Sequence, residues 1–160
     1  MTRSATTSLT VTLAAVVSVL CGCTMKSPAH EQHRFLPISR SMEPWGALEF
    51  DNRRMQLESL QGTMSLEYVG ALPETAGKDL EGAAVYRIKN AAKYFEKNRD
   101  KKSFCPQAAQ WVALNSKAGA PAWSSEIFFA LLTLDDWSRY EPGNGDSCAS
   151  GKYVRGSAED

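Results

Sequence analysis

The sequence predicts a mainly β fold, a small antiparallel sandwich or partly open barrel with one short helix at about residues 90–98. Three observations carry this. Runs between Ala47 and Val69 alternate apolar and polar residues with a period of two, the pattern of a sheet wet on one face. Clusters of Gly, Pro, Asn and Asp interrupt the chain at short intervals, as hairpins require. Only Ala91 to Lys97 in the second half of the chain combines a capping residue with helix-forming side chains.

Taken in order, Ala47 to Phe50 reads as a first strand and Asp51-Asn52 as a turn. Arg53 to Leu60 sets Met55 and Leu57 on one side and Gln56 and Glu58 on the other. Gln61-Gly62 breaks it. Thr63 to Val69 alternates most cleanly, with Met64, Leu66 and Tyr68 expected inward and Ser65 and Glu67 outward. A polar loop from Pro73 to Gly82 leads into a strand at Ala83 to Ile88. Asn90 can cap the following helix, because its side-chain oxygen can accept from an exposed backbone N–H of the first turn. Tyr94 and Phe95 would face the sheet, and Asn98-Arg99-Asp100 ends the helix.

Gln110 to Asn115 reads as a further strand that places Trp111 in the core, and Gly119-Ala120-Pro121 as a turn. Ile127 to Leu134 (IFFALLTL) has no polar face at all. Periodicity alone does not separate a helix from a strand there, but its eight residues and the Asp135-Asp136 stop favour a strand covered on both sides. Pro142 to Asp146 (PGNGD) is a turn, and Lys152 to Arg155 the closing strand.

The start of the chain reads differently. A polar leader with Arg3 precedes an apolar run of 12 residues, Leu9 to Leu20. As a helix that run would span roughly 18 Å, too short for a hydrocarbon core of about 30 Å. A cation, a brief apolar stretch and small residues form a secretory signal. Leu20-Cys21-Gly22-Cys23 then resembles the lipobox of bacterial lipoprotein precursors. Cleavage needs a small residue before the scissile bond, which Gly22 supplies for Cys23, whereas bulky Leu20 precedes Cys21. The resemblance implies that residues 1–22 are removed and that Cys23 carries diacylglycerol and an acylated amino group (palmitate among the acyl chains). It also favours the periplasmic face of the outer membrane, since Thr24 stands where an aspartate would signal inner-membrane retention. Residues 23–44, rich in Ser, Pro, His and Gln, read as a flexible lipidated tether, residues 45–156 as one globular periplasmic domain and 157–160 as a tail.

Composition narrows the function. Removing residues 1–22 from the 160 leaves 138, one domain's worth, with 17 cations against 18 carboxylates because Arg3 is the sole charge lost. That balance gives no footprint for nucleic acid. The basic stretch at Lys93, Lys97, Arg99, Lys101 and Lys102 is broken by Glu96 and Asp100 and reads as a solvated face. With Cys23 acylated, Cys105 and Cys148 remain, and two thiols in an oxidising compartment read as a disulfide.

No chemistry announces itself. From Trp45 onward the chain contains no histidine, which removes Ser-His and Cys-His mechanisms there. His30 and His33 have no third ligand near them, so no metal and no cofactor is expected. Asp135 and Asp136 would point to opposite faces of a strand and read as a turn. Trp123, Trp137 and Tyr140 flank turns, and either a binding surface or the core would account for them. The expectation is a non-enzymatic, lipid-anchored envelope protein that binds a protein partner, such as an inhibitor or immunity-type binder of a cell-wall hydrolase. In outline this plan is similar to lysozyme-inhibitor and immunity lipoproteins. The alternative is a structural subunit of an envelope or secretion complex.

Overall fold

The computed structural model describes residues 32–101, 105–116 and 125–156. Eight antiparallel strands form a closed barrel: β1 (His33–Pro37), β2 (Leu48–Phe50), β3 (Arg54–Leu57), β4 (Met64–Ala71), β5 (Ala84–Ile88), β6 (Trp111–Ser116), β7 (Glu126–Leu132) and β8 (Ser147–Arg155). Each strand pairs with the next, and β8 returns to β1 through Phe35–Arg155, Leu36–Val154 and Pro37–Tyr153. The single α-helix among the described residues, α1 (Ala91–Lys97), lies between β5 and β6. The mainly β fold with one short helix is as expected, and the sheet closes completely.

The alternation read from the sequence is what fills the barrel. Phe35, Leu48, Phe50, Met55, Leu57, Met64, Leu114, Phe129 and Tyr153 all point inward and are fully buried. An eight-stranded barrel is just wide enough for side chains to fill its interior. Strand β7 is covered on both sides, as its unbroken apolar run requires. Ile127, Phe129 and Leu131 face the interior, while Ala130 and Leu132 join a second cluster on the outer face with Val85 and Ala113. That outer cluster is roofed by Leu72, Ala76 and Leu80 from the β4–β5 connection and by Tyr140 from the β7–β8 connection.

Because the strands alternate in direction, the connections sort to two ends. Those after β1, β3, β5 and β7 lie at what we call the distal end. The β2–β3 turn, the β4–β5 connection and the start of β1 lie at the entry end. The distal end is plugged by Met42 and Trp45, Leu60, and Ala91, Tyr94 and Phe95 of α1, all buried in the interior cluster. Gly151 makes room for this plug, since a Cβ there would overlap Met42 Cγ and come within 3.0 Å of Ser39 Cβ.

Several expectations are corrected. The segment assigned to the tether is part of the domain from His33: β1 lies within residues 23–44, and Met42 and Trp45 are core. Only Phe35 of His33–Pro37 is both apolar and fully enclosed, so the strand had little pattern to show. The closing strand starts at Ser147 rather than Lys152, because the small residues Ser147 to Gly151 carry no hydrophobic alternation. The strand expected to reach Leu60 ends at Leu57, where Leu60 N–H turns back to the Leu57 carbonyl (3.0 Å). Trp111 is half-buried beneath the outer cluster and donates from Nε1 to the Leu134 carbonyl at 2.9 Å.

Asn90 stands at the helix N-cap position but does not cap with its side chain. Its Oδ1 accepts from Ser65 N–H and its Nδ2 donates to the Thr63 carbonyl, each at 2.9 Å. Asn98 does the same at the other end: Oδ1 accepts from Gln61 N–H (2.8 Å), and Nδ2 donates to the carbonyls of Gln61 (3.0 Å) and Tyr94 (2.9 Å). The two amides pin the helix to the β3–β4 connection. Cys105 and Cys148 form the expected disulfide, with Cα atoms 5.1 Å apart, tying the segment after the helix to the start of β8. At a sequence separation of 43 this is worth roughly 4 kcal/mol in chain entropy.

Two outcomes test this packing. Gly151→Ala should destabilise by about 1–3 kcal/mol by displacing Met42, read as a lower urea midpoint at unchanged slope. Combined with Met42→Ala, it should cost less than the sum of the single changes. Burial raises the Tyr86 hydroxyl to about 12 and holds those of Tyr94 and Tyr153 still higher. Unfolded tyrosines ionise near 10. Above that pH the folded state therefore keeps protons that the unfolded state has lost, and stability falls. The urea midpoint should hold steady up to about pH 9 and drop progressively from about pH 10 upward. Buried phenolates appearing with the fold intact would contradict this.

Candidate functional site

The outer face of β6, β7 and β8 carries a broad recess toward the entry end. Strands β6, β7 and β8 pair Asn115 with Phe128 and Phe128 with Lys152, so these three side chains form one row across the outer face. Glu126, two residues before Phe128, lies beside the row toward the entry end. The wall opposite is the end of the β4–β5 connection. Its tight turn is made by Leu80 and Glu81 N–H donating to the Gly77 carbonyl (3.0 and 2.8 Å), and Gly77 and Gly82 both have positive φ, which glycine adopts without strain. Asn115 Nδ2 donates to the carbonyls of Asp79 (3.0 Å) and Glu81 (3.2 Å) and so holds the wall to the barrel.

Between wall and barrel runs an open groove of about 700 Å³. Phe128 forms much of its apolar floor. Lys152 Nζ sits between Asp79 Oδ1 (3.7 Å) and Glu126 Oε1 (3.9 Å). Both pairs are long and solvent-exposed, so each contributes well under about 1 kcal/mol and can open to a competing partner. An apolar floor flanked by two cations (Lys78 and Lys152) and three carboxylates (Asp79, Glu81 and Glu126) suits a polypeptide segment with side chains of both signs. Among the described residues, no group of three His, Cys, Asp or Glu could hold a metal ion.

Of the residues singled out in the sequence, those described are not among the groove's lining. Cys23 and Trp123 fall outside the described residues, as does His30. Trp137 is half-buried, and its ring covers Gly70, where a Cβ would come within 2.8 Å of the indole. Tyr140 is 8% exposed in the same outer cluster, and burial raises its hydroxyl pKa. These two are packing residues rather than an open binding surface. Their flanking turns suggested exposure, but the turn folds back onto the barrel.

Asp135-Asp136 is indeed a turn, with Asp136 Oδ1 accepting from Ser138 N–H (3.1 Å) and Oγ (2.7 Å). Those bonds hold its carboxyl below the ordinary range. Glu58 is lowered likewise, first by the Ala47 N–H (2.9 Å) and then by Arg34. His33 is buried, with Arg155 Nη2 3.3 Å from its Nδ1. The groove residues went unnoticed because they come from four separate segments, and the unbroken apolar run of β7 gave no sign that Phe128 faces outward.

No known family model matches the chain, and neither curated proteins nor solved structures give a match.

Asn115→Ala should release the groove wall without unfolding the barrel. Hydrogen exchange at the Leu80 and Glu81 amides should accelerate markedly, while amides of β7 keep their protection. Equal acceleration in both places would mean that Asn115 supports the barrel as a whole.

Proposed function

We propose that this chain is a lipid-anchored, non-enzymatic binding protein of the bacterial cell envelope, acting as an inhibitor or immunity-type binder of a periplasmic protein such as a cell-wall hydrolase. The lipobox-like Leu20-Cys21-Gly22-Cys23 supports the anchor at Cys23 and, with Thr24 after it, the periplasmic face of the outer membrane. The observation that carries the binding role is the filled interior. Fully buried Phe35, Phe50, Phe129 and Tyr153 leave the barrel no lumen for a ligand, so contact with another molecule falls to the outer face. The groove at Phe128 and Lys152 is where that contact is placed. Its floor gives an anchor for an apolar side chain, and its mixed charges give register.

Extraction in mild detergent followed by affinity capture tests this. One soluble periplasmic hydrolase or toxin should co-purify with the native chain and be lost with Phe128→Ser or Lys152→Glu, both of which should fold. Capture of a multi-subunit membrane complex would favour a structural subunit instead, and turnover of peptidoglycan or an ester by the purified domain would defeat both. Separately, Cys23→Ser should abolish palmitate labelling and leave an uncleaved precursor. Persistent labelling would place the acyl chains on another residue.

A further inference from the structure

Among the described residues the exposed large hydrophobic side chains are Ile38, Tyr68 and Val69, and two of these are neighbours on β4. Tyr68 is paired with Tyr86 on the inner face of the sheet, yet it is 60% exposed. The reason is the length of the adjoining strand. Leu66 N–H donates to the Arg53 carbonyl (2.7 Å) as the β2–β3 turn begins, so beyond Leu66 no β3 residue flanks β4. Tyr68 therefore stands at the open mouth of the barrel, its ring edge-on to that of Tyr86 at 5.7 Å. Tyr86 is in turn held by its hydroxyl donating to Asn52 Oδ1 (3.2 Å) in the same turn. The register shifts between Tyr68 and Gly70, which makes Val69 the extra residue of a bulge.

This mouth is at the entry end, where His33 pairs with Phe50 and the chain comes in. Cys23 precedes His33 by only the nine residues 24–32. Even fully extended, ten residue steps span at most about 35 Å. An anchor at Cys23 thus lets the entry end reach the lipid surface, while the tether alone does not fix which end faces it.

We propose that the entry end of the barrel rests on the membrane surface, with Tyr68 and Val69 in the headgroup layer and exposed Arg53 beside them meeting lipid phosphate. The proposal builds on the reading of Cys23 as the lipidated residue. A tyrosine, apolar in its ring and polar at its hydroxyl, suits that layer, and a cation near an anionic surface is attracted to it. Two side chains would not hold a protein on a membrane unaided. The acyl chains do the holding, and with the barrel already at the surface a small patch is enough to orient it. The distal end, with its helix lid and disulfide, then faces away from the membrane.

The test uses the full acylated chain in vesicles of phosphatidylethanolamine and phosphatidylglycerol. A single environment-sensitive fluorophore is placed at exposed Gln32→Cys (entry end) or Gln61→Cys (distal end), with Cys105–Cys148 left oxidised. Lipids carrying a quencher at headgroup depth should quench the entry-end probe several-fold more than the distal probe. Adding Tyr68→Ser and Val69→Ser should bring the two close together, with circular dichroism unchanged. Equal quenching at both ends, or a contrast that survives the two serine changes, would overturn the proposal. So would a Tyr68-dependent dimer in detergent without vesicles, which would assign the patch to a second copy. Mass spectrometry of the same preparation reads the acyl chains independently. Their presence with equal quenching defeats the orientation alone, and their absence from Cys23 defeats the anchor and the orientation together.

Discussion

Closure of β8 against β1 is the constraint on which the remaining structure depends. Strand β8 pairs with β7 from Ser147 to Val154 and with β1 through its last three residues, so neither terminal strand is left with a free edge. The seam continues beyond the regular pairing. Ile38 and Ser39 N–H both approach the Lys152 carbonyl, Ser39 Oγ accepts from Lys152 N–H at 2.9 Å, and Gly156 N–H donates to the Arg34 carbonyl at 2.9 Å. Once closed, the sheet encloses a volume that must be filled or left as a costly void. Aromatic and long aliphatic side chains from every strand fill it, and the one place where a side chain is missing, Gly151, is where Met42 enters.

Closure of the sheet does not close its ends. The distal end is sealed by a helix of seven residues, far too short to persist in isolation. It is held from three sides. Tyr94 and Phe95 bury their rings in the interior cluster, Asn90 and Asn98 bond the backbone of the β3–β4 connection, and the Cys105–Cys148 bridge ties the following segment to β8. Each asparagine satisfies both a donor and an acceptor of the neighbouring chain, so loss of either amide would strand polar groups as well as loosen the lid. Among the described residues the entry end has no such lid on the β4 side, because β3 is four residues long and β4 is eight. The exposure of Tyr68 is a direct consequence of that mismatch.

A filled interior and paired edges divide the outer surface into parts spent on stability and parts left open. The outer face of β5, β6 and β7 is covered by its own two long connections, whose contact is made close by Gly70 under Trp137 and Gly77 under Pro142. The face of β1, β2 and β3 is polar, with Arg34 shared between Glu49 and Glu58. What remains is the groove floored by Phe128 and the exposed pair at the entry end. Both lie toward the end at which the chain enters, so in the proposed reading the tether sets how a partner approaches as well as where the protein resides.

Period-two alternation from Leu48 to Leu66, the bounds of α1, the pairing of Cys105 with Cys148 and the two-sided burial of β7 were all legible in the sequence. Each depends on local spacing, or on having only two cysteines to join. The sequence left β1 and the first half of β8 unread, since β1 (HRFLP) has Phe35 as its one fully enclosed apolar residue and the Ser, Cys, Ala and Gly of β8 carry no alternation, so their strand character comes from the neighbours they pair with. It set Tyr68 on the inward face and left Trp137 and Tyr140 open between core and surface, because a residue's own pattern says which face it takes, whereas its exposure depends on what lies opposite. Thus the chain by itself determined the strands from β2 to β7, the helix and the bridge. Only the tertiary structure decided that the sheet closes, that the asparagines serve a distant loop and that four separate segments form one groove, because those outcomes rest on contacts between residues far apart in the chain.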